Sequence, residues 1–96
     1  MSARRFRVTG RVQGVGFRAF VIARARELGL DGWVRNEADG AVAVLAAGEP
    51  EALERLAAEL AEGPRAARVL AVESAPAEPP AEPGFRIARG DGAWTI

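Results

Sequence analysis

Two short stretches of this 96-residue chain carry residues whose types and spacing suit chemistry. The first, GRVQGVGFR from Gly10 to Arg18, lies between an alternating run and a run of helical period. A glycine-rich turn from strand into helix presents backbone N–H groups near the positive end of the helix dipole, about half an elementary charge, and such turns bind anions. Gly14 and Gly16 have no Cβ, so the backbone can curl and come close to a phosphate, and Arg18 could add a forked donor. The alternative is a tight turn followed by a solvated helical arginine. The second stretch, GWVRNEADGAV from Gly32 to Val42, contains Asn36. Its neutral amide donates and accepts at once, which suits holding a water molecule, but it cannot act as a base. A simple turn residue is the other reading. Trp33 is expected in the core.

Two common phosphate loops fit poorly. The Walker A loop needs Lys and Ser or Thr after its last glycine, where Phe17 and Arg18 stand. GVGFRA does meet the dinucleotide fingerprint G-x-G-x-x-G/A, with Glu37 or Asp39 downstream to hold a ribose. That fold requires parallel strands joined by crossover helices, whereas Asp39-Gly40 marks a tight hairpin.

The elements that must position these residues can be read from periodicity. From Arg5 to Gln13 the side chains alternate, with Phe6, Val8, Gly10 and Val12 on one side, as in a half-buried strand. Phe17, Phe20, Val21, Ala25 and Leu28 then recur at helical spacing, and Gly29 is placed to end a helix over 17–28. LDGWVRN and AVAVLAAG flank EADG as a hairpin. Leu53, Leu56, Ala57 and Leu60 form the apolar stripe of a second helix, with Pro50 in its first turn. A strand from about Arg68 to Ser74 follows, then APAEPPAEPG, which cannot enter a central strand, then FRIAR. The order is β-α-β-β-α-β with a short fifth strand. It predicts an α+β, ferredoxin-like two-layer sandwich with two helices on one face of an antiparallel sheet. Gly90–Ile96 extends beyond that plan, with Trp94 as a candidate edge cover.

Composition excludes several function classes. Thirteen basic and thirteen acidic residues cancel, so no general attraction to nucleic acid or an anionic membrane is expected. Arg4, Arg5, Arg7 and Arg11 hint at RNA, but no stacking aromatics share their face. The sequence has neither cysteine nor histidine, which removes thiolate chemistry, the usual zinc sites and imidazole catalysis. No apolar run approaches the ~20 residues of a membrane span and MSARRFRVTG has no signal-peptide core, so a cytoplasmic location is expected.

Together the two stretches resemble the acylphosphatases. GRVQGVGFR is similar to that family's signature G-x-V-Q-G-V-x-F-R, and GWVRNEADGAVAVLAAG to its second, G-W-V-x-N-x-x-x-G-x-V with a glycine six residues on. The likeness runs from about residue 4 to Arg89, so 1–96 reads as a single acylphosphatase-like domain. The resemblance implies hydrolysis of the carboxyl-phosphate bond of acyl phosphates to carboxylate and inorganic phosphate, with no metal or other cofactor. It implies that the backbone N–H groups of Gln13, Gly14, Val15, Gly16, Phe17 and Arg18, with the Arg18 guanidinium, hold the phosphoryl group, while Asn36 orients the attacking water. Glu37 departs from the small hydroxyl residue common after that Asn, and its charge could repel an anionic substrate. A monomer acting on a small molecule, with no nucleic-acid or membrane partner, is expected. Two alternatives are a piece of a larger carbamoyl-phosphate-using maturation protein, which the chain length disfavours, and a non-catalytic anion sensor.

Overall fold

A computed structural model describes residues 2–88, so Trp94 and the tail 90–96 lie outside the described residues. The alternating N-terminal run forms β1, Ser2–Arg11, burying Phe6 and Val8 while Arg5 and Arg7 face water. β2 (Asp31–Asn36) and β3 (Val42–Gly48) make the hairpin, and β4 (Arg68–Pro76) and β5 (Phe85–Ile87) complete a sheet of order β4-β1-β3-β2-β5. The helices are α1, Phe17–Glu27, and α2, Pro50–Glu62. Phe17, Val21 and Ala25 of α1 join Leu53, Leu56 and Leu60 of α2 over Val8, Val34, Val42 and Val44 of the sheet, forming one core. Both helices therefore cover the same face, as the apolar stripes require.

The sheet differs from the expected one in its last strand. β1, β3, β2 and β4 pair antiparallel, but β5 runs parallel to β2, with Gly32 opposite Phe85 and Val34 opposite Ile87. The preceding connection is long enough for this path. Residues 77–84 must pass from the β4 edge to the opposite edge, four strand spacings or about 19 Å, and eight residues span at most about 28 Å. β4 ends and β5 begins at the same end of the sheet, Pro76, Arg4, Ala46, Gly32 and Phe85 lying in one row, so the connection crosses that end and β5 runs with β2. Gly84 N donates to Asp31 Oδ1 at 2.7 Å, and Arg26 on α1 donates through Nε and Nη2 to Phe85 O, fixing the start of β5.

β4 extends two residues beyond the expected end, through Ala75 and Pro76. Proline is tolerated there because β4 is an edge strand. The pairing of β1 with β4 shifts at Thr9/Gly10, where Gly10 has φ 126° and a Cβ would lie 2.2 Å from Arg68 O. This bulge ends the sheet beside the glycine loop.

Candidate active site

The loop Val12–Gly16 is pinned at both ends by its apolar residues. Val12 and Phe17 are buried, while Gly14 and Gly16 between them are exposed. Gly14 (φ 75°) and Gly16 (φ 82°) adopt the left-handed conformation, and a Cβ at either would meet nothing within 4 Å. The glycines therefore serve the turn and an open approach, not packing. Gly16 caps α1, which has no side-chain cap and no acidic residue in its first turn. The first helical bond runs from Phe20 N to Gly16 O, which leaves the N–H groups of Phe17, Arg18 and Ala19 without helical acceptors. These donors and the dipole favour an anion at the loop. Arg18 is half-buried and, among the described residues, has no hydrogen bond or ion pair of its own. It is thus a forked cation in the first turn of α1.

Asn36 lies at the same end of the sheet. Val42 of β3 is opposite Asn36 on one side and Val8 on the other, so the three form a row across the sheet. Directly paired residues share a face. Val8 and Val42 are buried under the helices, so Asn36 points to the helix face and is half-buried at its rim. The Gln13 side chain ties the loop to this hairpin. Its Nε2 donates to Glu37 O at 2.8 Å and to Ala41 O at 2.9 Å. The structure therefore brings Gln13–Arg18 and Asn36 to one end of the sheet.

One expectation needs correction. Trp33 does not sit in the core. It lies half-buried on the open face, where the Arg35 guanidinium stacks on its ring with Cζ 4.2 Å from the centroid. The Glu37 carboxylate is turned away from the loop. It bonds Arg35 Nε at 2.7 Å, on the opposite side of β2 from Asn36, and Arg35 is only 8% exposed. Asp39 is likewise engaged, pairing with Arg7 and accepting from Ala41 N at 3.1 Å. The bond from Arg7, followed by that from Ala41 N, holds the Asp39 carboxyl below the usual carboxylate range, and Asp39 in turn raises Arg7. A groove of about 890 Å³ opens on this face, lined by Trp33, Arg35, Glu37, Arg5 and Arg7. Asn36 points away from it, so the groove and the loop are separate features. Among the described residues, no group of three His, Cys, Asp or Glu is placed to hold a metal ion.

The sequence reading missed the Gln13 side chain, which spans 24 and 28 residues to its acceptors. No local pattern signals a bond across that distance.

Comparison with known proteins adds an independent line. A family model described as Acylphosphatase matches residues 4–87. A curated acylphosphatase of Koribacter versatilis is 55% identical over 91 residues, covering 95% of this chain and 81% of the relative. Among solved structures, an acylphosphatase from Bacillus subtilis superposes with TM-score 0.87 at 36% identity, covering 93% of this chain and all of the other. Full-length HypF, in a phosphate- and nucleotide-bound form, matches at TM-score 0.85 and 29% identity, over 92% of this chain and 12% of its own.

Proposed function

Because the chain belongs to the acylphosphatase family, hydrolases acting on acyl phosphates, we propose that it cleaves these substrates at the glycine loop, with Arg18 and Asn36 as the catalytic residues and no metal ion. The observation that carries this reading is the convergence, at one end of the sheet, of uncapped N–H donors, a half-buried guanidinium unpaired among the described residues and a half-buried amide at the rim of the helix face.

In this account the N–H groups from Gln13 to Arg18 and the Arg18 guanidinium bind the phosphoryl oxygens and neutralise the charge that builds on them. Phosphoryl transfer asks a protein chiefly for such positioning and charge stabilisation. Asn36 accepts a hydrogen bond from a water and aims its oxygen at phosphorus. As the new P–O bond forms, the bond from phosphorus to the acyl oxygen breaks, and the carboxylate leaves with the electron pair. A carboxylate is a good leaving group and needs no protonation to depart. A non-bridging phosphoryl oxygen takes the water's proton, giving inorganic phosphate. The engagement of Glu37 by Arg35 and of Asp39 by Arg7 supports this route, since neither hairpin carboxylate is turned toward the loop.

A cytoplasmic monomer with one domain spanning 1–96 is the form we propose. In support of the monomer, the large apolar side chains exposed among the described residues are Leu70 and Ile87, on opposite edges of the sheet. No helix of the described residues is long and apolar enough to cross a membrane. The test is phosphate release from benzoyl phosphate in excess EDTA, with spontaneous hydrolysis subtracted. Turnover well above the blank is expected. Phosphate binding without turnover would leave an anion sensor in place of an enzyme.

A further inference from the structure

Resting on that reading, we propose that the Gln13 side chain is a positioning residue that holds the phosphate loop in register with Asn36. Among the described residues, the hydrogen bonds joining residues 12–16 to the 36–41 turn are the two from Gln13 Nε2, to Glu37 O and Ala41 O. The first acceptor belongs to the residue after Asn36, so the clamp acts on the backbone that carries the amide.

The turn does not need this clamp for its own closure. Glu37 N donates to Ala41 O at 2.8 Å, and Gly40 N donates to Glu37 O at 3.1 Å. Both carbonyls therefore keep a partner if Gln13 loses its amide, and no acceptor is orphaned. What is lost is the tie between two separately built parts. One holds the phosphoryl group and the other holds the water, and a misplacement of about 1 Å between them can cost around 10²-fold in rate.

Gln13→Met keeps the side-chain length and removes both donors. It should lower kcat on benzoyl phosphate by about 10- to 100-fold while leaving the Kd for inorganic phosphate within about threefold, since phosphate touches only the loop. Because Gln13 acts through Asn36, the double variant Gln13→Met, Asn36→Ala should turn over as slowly as Asn36→Ala alone, where independent losses would multiply. Gln13→Glu supplies a second readout. Its carboxylate faces two carbonyls with no proton to give, and its protonated form regains one donor. Its kcat relative to wild type should therefore rise as the pH falls through the carboxyl pKa. Wild-type kcat in Gln13→Met, multiplicative losses in the double variant, or phosphate affinity falling as far as kcat would overturn the positioning role. A wild-type protein with no turnover would instead overturn the functional reading and the positioning role with it.

Discussion

Arg18 and Asn36 are proposed to hold different reactants, the phosphoryl group and the water, so their losses should look different. On the proposed roles, Arg18 would meet phosphoryl oxygens in substrate, transition state and product, whereas Asn36 would meet only the water. The hairpin carboxylates next to Asn36 should matter little to chemistry. Glu37 and Asp39 are each held by an arginine and turned from the loop, so Glu37→Gln and Asp39→Asn should keep the shape of the kcat against pH profile between pH 4 and 8. Loss of a limb in either variant would identify a protein base and refute proton transfer to the substrate. Trp33 was misread at this scale. It and Val34 are neighbours on a strand, so one of them must face outward, and size alone favoured burying the tryptophan. Arg35 shares the face of Trp33 and was the available sign that this face is wet.

At the scale of elements, the loop and the strands use glycine for different reasons, and substitution should separate them. Gly14 and Gly16 are left-handed in open space, so alanine there strains the backbone by about 1–2 kcal/mol without a clash. Gly32 has φ 146°, and a Cβ would lie 1.8 Å from Leu45 O inside the β2–β3 ladder. Gly14→Ala should therefore melt about 4–16 °C below wild type and lose phosphate affinity, and Gly32→Ala should fail to fold or melt far lower. Thermal unfolding and phosphate titration of the two variants distinguish the cases. The glycine loop was legible in the sequence because its constraint is local. Asn36 is singled out in the sequence only by family likeness, since one amide at the end of a strand has no spacing partner. The direction of β5 was not legible, because three residues carry no alternation and their orientation depends on which end of the sheet the connection before them reaches.

For the whole molecule, the Arg7 to Asp39 pair joins the hairpin turn to β1 across the open face, and it gives stability a pH dependence. Its carboxyl pKa is depressed on folding, so the unfolded chain binds the proton more readily. The contribution is present above the unfolded carboxyl pKa and is lost as pH falls through the lower folded value. Melting temperatures of wild type and Asp39→Asn should accordingly differ at pH 6 and converge in acid; a constant gap would mean that the pair is not the source. The layered architecture was readable because two stripes of helical period and alternating strands admit few arrangements. The join between loop and hairpin was not, since it depends on contacts that exist only once the sheet has brought the two together.

The most direct test is a steady-state comparison of wild type, Arg18→Ala and Asn36→Ala on benzoyl phosphate in excess EDTA, with phosphate Kd measured alongside. Asn36→Ala should lose about 10²- to 10³-fold in kcat with phosphate affinity retained, and Arg18→Ala should lose both turnover and affinity. Wild-type kinetics in either variant would contradict the site.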